Sequence, residues 1–388
     1  MTEERKLTVS GSNAMARSIL LCRPEVVAAY PITPTTHVAE KMAKYYADGK
    51  LKNFIAVEAE MSAISALVGA SAAGARTFST TGGQGLLFMH EVLHSAAGMR
   101  LPMVLLVGNR AVSSPLNIWN DHQDTMSQRD TGWIQLYAKT SQEAVDLLPQ
   151  AFFIAEKCLL PVMVCVDGFF LTHAVEQILI PSQKKVDKFL PKFNPKIKLD
   201  PNKPLSLGVY AGPEHYQLFR EDLQKDLINS EKIIEEAGKK WKQLIGRNYN
   251  AVDAFNCKDA EKIIVGLGSM MLNAEETAKE LRKKGEKVGV LYIRSFRPFP
   301  RKKIRRILAG KKIGVIDRAL SLGSEAPLYL EICEALNGTN SVVSSFFGGL
   351  GGRSITRKEF NSLFKKLNSG KELKKWIGYD GFEGVKLR

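Results

Sequence analysis

Short apolar runs alternate with longer mixed stretches through the first half of the chain. Residues 26–30 (Val-Val-Ala-Ala-Tyr) stop at Pro31, and 54–57 (Phe-Ile-Ala-Val) stop at Glu58. Residues 77–81 run into Gly82-Gly83, 103–107 run into Gly108, and 162–166 form a fifth run. Runs this short and this apolar predict strands buried on both faces. The stretches between them, notably 60–75 and 86–98, predict helices. Strand–helix alternation implies a parallel sheet with helices covering both faces. Ligands of such sheets bind beyond the carboxyl ends of the strands. Residues 30–34, 82–84 and 108–110 all fall there.

The pattern breaks at 181–204, where five prolines and seven lysines predict an extended connector. Residues 214–245 then read as a charged helix with Leu218, Leu223, Leu227, Ile233 and Ile234 as its apolar stripe. A second α/β unit starts near Asp259. Residues 262–268 read as strand and turn, and Asn273 with Glu276 predicts a capping box opening a helix to Lys284. Further strands are predicted at 288–293, 313–317 and 342–347. Gly266-Leu267-Gly268 lacks the third glycine of a dinucleotide fingerprint, because Met271 stands there. Gly348-Gly349-Leu350-Gly351-Gly352 reads as a flexible turn. The fold class is therefore α/β with two parallel-sheet domains. They span 1–250, including the connector and the charged helix, and 259–370, followed by a tail at 371–388.

Length and composition narrow the picture. A chain of 388 residues exceeds one ordinary core, and 45% apolar content is that of a globular protein. No apolar run is long enough to span a bilayer. The first residues, Met-Thr-Glu-Glu-Arg-Lys, carry no apolar signal segment, so a cytoplasmic location is expected. Five scattered cysteines include no C-x-x-C pair, which argues against a zinc site or an iron–sulfur cluster on this chain. The net charge of +15 lies in the second half, since residues 1–180 hold 14 Lys and Arg against 16 Asp and Glu. The lysines are interspersed with acidic residues and lack interleaved aromatics, so a solvated surface is the expectation and nucleic acid is not.

Several residues at strand ends have the right chemistry for a site. Glu60 opens a helix rich in Ala, Ser and Gly that admits a flat ligand or another backbone. A carboxylate there is equally explained by the helix dipole, and Glu58 would serve that purpose as well. Thr33, held between Ile32 and Pro34, has a hydroxyl suited to a carboxylate or to a plain turn. Arg110 follows Gly108 at a strand end, where a guanidinium clamps a carboxylate with two parallel hydrogen bonds or makes a surface ion pair. Asn120-Asp121-His122-Gln123-Asp124 beside Trp119 is a dense polar cluster. Its consecutive spacing is wrong for ligands on one helical face, which favours a hydrogen-bonded loop that shapes a pocket or a subunit interface. His90-Glu91-Val92-Leu93-His94 matches the metalloprotease pattern H-E-x-x-H. The glycine loop before it and the absence of a placed third ligand argue against a metal.

Tyr30-Pro31-Ile32-Thr33-Pro34, then Glu60, Arg110 and 117–124, in that order and spacing, resemble the alpha subunit of the pyruvate:ferredoxin oxidoreductases. These belong to the thiamine-diphosphate-dependent 2-oxoacid:ferredoxin oxidoreductases. Residues 69–76, 84–87, 129–137, Asp167-Gly168-Phe169, 294–300 and Asp317-Arg318 extend the resemblance over nearly the whole chain. It implies a pyrimidine-binding domain followed by a transketolase C-terminal-like domain. It implies that Glu60 hydrogen-bonds N1′ of the aminopyrimidine and so promotes proton exchange at the thiazolium. Pro34 and Gln84 would join Glu60 in holding the cofactor, and Thr33 and Arg110 would hold the substrate carboxylate. The implied reaction is CoA-dependent oxidative decarboxylation of pyruvate, with electrons leaving to ferredoxin. A branched-chain 2-oxoacid homologue and a non-catalytic scaffold subunit are the alternatives.

One departure stands out. The family usually has a serine just before the Gln-Gly of the glycine loop, and this chain has Gly83. Neither Asp167-Gly168-Phe169 nor Asp380-Gly381-Phe382 gives the Gly-Asp-Gly that would hold Mg²⁺ and the diphosphate. The resemblance therefore implies that Mg²⁺ and the [4Fe-4S] clusters sit on partner chains, namely beta, gamma and delta subunits, with no metal on this one and no membrane contact.

Overall fold

The apolar runs are strands, and their register places the candidate residues. A computed structural model describes residues 4–378, so Asp380-Gly381-Phe382 and most of the predicted tail lie outside the described residues. The chain divides into two units. The first runs to Ala251 and also includes Arg294–Pro300; the second comprises Val252–Ile293 and the chain from Arg301 on.

In the first unit, β1 (Glu4–Ser10) leads into α1 (Gly11–Leu21), whose N-cap Ser10 accepts from the Asn13 amide. Then come β2 (Val26–Ala29), α2 (Thr36–Ala47), β3 (Asn53–Ala56), α3 (Glu60–Ala72) and β4 (Thr77–Thr81). α4 (Gln84–Phe88) and α5 (His90–Gly98) precede β5 (Met103–Asn109), and α6 (Gln123–Met126) precedes β6 (Ile134–Tyr137). α7 (Ser141–Cys158), β7 (Val162–Asp167), β8 (Val175–Pro181), α8 (Gln183–Phe189) and α9 (Pro213–Ile245) follow. β8 pairs antiparallel with β1. The second unit begins with β9 (Val252–Phe255), β10 (Lys262–Gly266), α10 (Met271–Lys283) and β11 (Val288–Ile293). The chain then adds β12 (Ser295–Arg297) to the first unit's sheet, antiparallel to β6. It resumes the second unit with α11 (Arg301–Leu308), β13 (Lys312–Asp317), α12 (Pro327–Leu336), β14 (Val342–Phe347), α13 (Arg357–Lys366) and β15 (Lys374–Trp376).

The first sheet has the order β12-β6-β7-β5-β4-β2-β3. Every residue of β4, β5, β6 and β7 is buried, as strands covered on both faces require. α1, α7 and α9 supply Met15, Ile19, Phe152 and Trp241 to one core below it. The second sheet has the order β15-β14-β13-β10-β11-β9, parallel except at β9. Helices α10 and α13 cover it with Ala274, Ala278, Phe360 and Phe364. Among the described residues no helix is long and apolar enough to cross a membrane.

Some local expectations need correction. The predicted connector begins as the end of β8 and the helix α8, because the Ser182 hydroxyl caps the Lys185 amide at 3.4 Å. The predicted helix over 86–98 is two helices meeting at Met89. Asn273 is not an N-cap: α10 starts at Met271, and the Asn273 amide instead donates to the Ile355 carbonyl at 2.8 Å. A capping box does exist at Thr356 and Glu359. In α9, Leu223 and Ile234 are buried and Leu218 is exposed, so the apolar stripe faces the core only from Leu223 onward.

Candidate active site

Strand register brings three loops together at one sheet end. β4 and β5 pair so that Thr81 lies opposite Val107, and β5 and β7 pair Asn109 with Asp167. The loop after β4 (Gly82-Gly83) therefore meets the end of β5 (Gly108, Asn109, Arg110). A β-carbon on Gly82 would overlap the Gly108 carbonyl oxygen, so the backbones touch with no room for a side chain. Pro34 is buried in the same place. β-carbons on Gly108 and Gly168 would lie 2.9 and 2.7 Å from its Cγ.

Arg110 ties these loops to one another. Its Nη1 donates to the Thr33 carbonyl at 2.8 Å and its Nη2 to Gln84 Oε1 at 2.7 Å. The side chain lies against Gly83, which has φ +55°; a β-carbon there would overlap Arg110 Nε and stand 2.8 Å from Cγ. A glycine at 83 thus leaves the space that Arg110 fills. Arg110 is 7% exposed, and burial lowers its pKa from the ordinary arginine value while the charges of Asp124 and Glu60 oppose that shift.

Glu60 is the first residue of α3 and is 7% exposed. Among the described residues its carboxyl takes part in no hydrogen bond. It lies over Gly85, where a β-carbon would overlap Oε1 and also stand 2.6 Å from Thr81 Oγ1. Thr81 Oγ1, Gln84 Nε2 and Arg110 Nε are buried beside it without hydrogen-bond partners. Unpaired polar atoms cost free energy when buried, so a group of them around one loop marks a place built for a polar ligand. Glu58, the other carboxylate considered, is exposed and accepts from the Ser62 hydroxyl. The structure thus brings Glu60, Thr33, Pro34, Gln84 and Arg110 to one place.

The polar cluster disperses into separate roles. His122 Nε2 is 2.8 Å from Asp167 Oδ1, and both side chains are 1% exposed. Asp121 Oδ1 accepts from the Gln123 amide at 2.9 Å. Asp124 is buried and faces the glycine loop and Arg110 instead. Asn109 and Thr81 are not among the residues that the sequence singles out, and their strand-end positions were the available signal; Asp124 is, as a member of the polar cluster. His90 Nδ1 lies 2.5 Å from Gln128 Oε1, and the His90 and His94 rings meet edge-on at 5.0 Å. Burial and the neighbouring His90 hold the His94 imidazole below its ordinary range. Among the described residues no group of three His, Cys, Asp or Glu is arranged to hold a metal ion.

Comparison with known proteins accords with this arrangement. The family described as pyruvate flavodoxin/ferredoxin oxidoreductase, thiamine diP-bdg, matches residues 17–239, and pyruvate:ferredoxin oxidoreductase core domain II matches 260–360. The chain is 43% identical to pyruvate synthase subunit PorA of Methanothermobacter thermautotrophicus, over 95% of this chain and 97% of that protein. It is 41% identical to ketoisovalerate oxidoreductase subunit VorA of Pyrococcus abyssi, over 94% and 95%. Among solved structures, a 2-oxoglutarate:ferredoxin oxidoreductase from Magnetococcus marinus superposes with a TM-score of 0.72 at 20% identity; the match covers 94% of this chain and 65% of that one. A split-gene transketolase superposes with a TM-score of 0.57 at 14% identity, covering 94% and 100%, so the likeness is one of fold. The chain belongs to the pyruvate flavodoxin/ferredoxin oxidoreductase family, and its first unit carries that family's thiamine-diphosphate-binding domain.

Proposed function

We propose that this chain is the alpha subunit of a pyruvate:ferredoxin oxidoreductase, which oxidatively decarboxylates pyruvate with CoA to acetyl-CoA and CO₂ and passes electrons to ferredoxin. The observation that carries this reading is the Glu60 carboxyl: buried, opening α3, and without a hydrogen-bond partner among the described residues. The residues fit the aminopyrimidine end of thiamine diphosphate. Glu60 is an acceptor awaiting a donor, Gln84 Nε2 and Thr81 Oγ1 are unpaired, and Gly85 keeps a side chain out of the space. When bound, the cofactor supplies a carbon nucleophile and an electron sink for the broken C–C bond.

The chain's own residues orient and charge this site. Glu60 holds or releases a proton at the pyrimidine N1′. Arg110 and Thr33 anchor the 2-oxoacid carboxylate, and Pro34 packs between Gly108 and Gly168 so that the Thr33 loop stays rigid. Residues 1–250 serve as the pyrimidine-binding domain and 259–370 as the transketolase C-terminal-like domain. Beta, gamma and delta subunits contribute the Mg²⁺–diphosphate site and the [4Fe-4S] clusters, and the complex works in the cytoplasm without membrane or nucleic acid.

A branched-chain 2-oxoacid is the second reading, because the PorA and VorA relatives differ by only 43% against 41% identity to this chain. The test is viologen reduction by the complex that co-purifies with the tagged chain, given thiamine diphosphate, CoA and a panel of 2-oxoacids. Pyruvate is expected to outpace 2-oxoisovalerate; the reverse order favours the second reading, and no reduction with any 2-oxoacid overturns both. Glu60→Gln is expected to lower turnover by roughly 10² or more, as loss of a general acid–base group does. Unimpaired turnover in that variant removes Glu60 from the mechanism.

A further inference from the structure

Asp124 sits in α6, a four-residue helix, and its side chain is 0% exposed. Both of its oxygens are fully used. Oδ2 accepts from the Gly83 amide at 2.8 Å and from the Arg110 amide at 3.1 Å. Oδ1 accepts from Asn109 Nδ2 and from the Thr125 amide, both at 2.8 Å. One oxygen therefore bridges two loops that arrive from different strands. The segments it joins are those that present Gln84 and the Arg110 guanidinium.

A layer beneath holds α6 in turn. The Asn109 amide also donates to Thr125 Oγ1 at 2.7 Å, and Tyr137 Oη donates to that same oxygen at 2.8 Å. Gln135 Nε2 donates to the Thr125 carbonyl at 2.8 Å. Gln135 and Tyr137 belong to β6, so α6 is fixed to the sheet and the carboxylate has one position to occupy. A carboxylate is the side chain suited to this place. Each oxygen takes two donors, and neither oxygen brings a hydrogen that would face another N–H.

We propose that Asp124 is the positioning residue of the 2-oxoacid site, locking the glycine loop to the end of β5 so that Arg110 stands in register for the substrate carboxylate while Gln84, bonded to it, faces the cofactor. This rests on the function proposed above. Asp124 itself touches neither substrate nor cofactor. An amide at position 124 supplies a single acceptor oxygen, and its NH₂ then faces backbone N–H groups. One side of the clamp is lost while volume and burial are kept.

The test uses the purified complex carrying Asp124→Asn, with Asp124→Ser as a second variant should the amide not fold. Two readouts are taken. In viologen reduction, KM for the 2-oxoacid is expected to rise about tenfold or more, because misplacement of an anchoring group by even 1 Å is costly. KM for CoA is expected to stay within about twofold, since the clamp acts on the carboxylate anchor and not on the thiol substrate. In hydrogen–deuterium exchange without substrate, the amides of Gly83 and Arg110 are expected to exchange at least about tenfold faster while the remaining core stays protected. An unchanged 2-oxoacid KM in a folded variant overturns the proposal, as does a parallel rise in both KM values with global loss of protection. The exchange readout does not depend on the reaction. Unchanged exchange at both amides sinks the clamp even if the wild-type complex reduces viologen, whereas a wild-type complex inert toward every 2-oxoacid sinks the function and leaves exchange to decide the clamp.

Discussion

At the scale of single residues, Asp124 carries two opposed dependences on pH. Burial pushes its carboxyl up to about 6 from an ordinary 3.8; the donors from Gly83, Asn109 and Arg110 pull it down, and the Asp121 charge adds to the rise. Arg110, Tyr137 and Cys165 also feel its charge, and burial places the Tyr137 and Cys165 ionisations well above their usual values. A raised folded-state pKa means that the folded chain binds the proton before the unfolded chain does. The stability this group contributes is then fully present below about 3.8 and is lost as pH rises through about 6. The clamp runs the other way, because a protonated carboxyl loses an acceptor. KM for the 2-oxoacid is therefore expected to rise as pH falls through about 6, while the melting temperature of Asp124→Asn relative to that of wild type shifts upward as pH rises through it. Kinetics and thermal scans from pH 5 to 8 read both; trends of the same sign would contradict this account. Little of this was legible in the sequence. Motif order named Glu60, Thr33, Pro34, Gln84 and Arg110, which the structure gathers at one sheet end, but three of the four donors to Asp124 are backbone amides, and backbone amides have no letter.

At the scale of elements, the site is made by loops that touch because three glycines let them. Gly82, Gly83 and Gly85 each face an atom where a β-carbon would go. Gly83→Ser supplies the serine that the resemblance leads one to expect, and it meets both a φ of +55° and the Arg110 side chain. The strained backbone is expected to cost on the order of 1–3 kcal/mol. Displaced Arg110 should raise the 2-oxoacid KM more than it alters kcat. A variant of wild-type stability and KM would mean that the loop yields freely. The strands were legible because a strand buried on both faces must be apolar almost throughout, as 103–107 and 162–166 are. Helix ends were less so. Ser182 and Thr356 cap helices that the proline-rich and glycine-rich composition around them obscured, and Asn273 mimicked a cap while its amide served the Ile355 carbonyl.

At the scale of the whole molecule, chain order and unit membership part company. Residues 294–300 follow β11 of the second unit yet belong to the first. Arg294, 2% exposed, is ion-paired with Glu143 and its carbonyl accepts from the Tyr137 amide at 2.8 Å. A three-residue strand of Ser-Phe-Arg ahead of Pro298 gives no periodicity to read, so chain order alone assigns it to the wrong neighbour. A fragment ending at Ala251 lacks β12, leaving β6 as an unpaired edge and the buried Glu143 without Arg294. Removing one partner of a buried ion pair costs about 3–5 kcal/mol. That fragment is expected to melt earlier and to self-associate through the bared edge in light scattering. A monomeric fragment as stable as the full chain would show the excursion to be dispensable. The same excursion sets a timetable for synthesis. β12 leaves the ribosome roughly 160 residues after β6, so at about 5–20 residues per second the nascent first unit waits some 10–30 s with an open sheet edge. During that interval the half-made protein has most need of a chaperone.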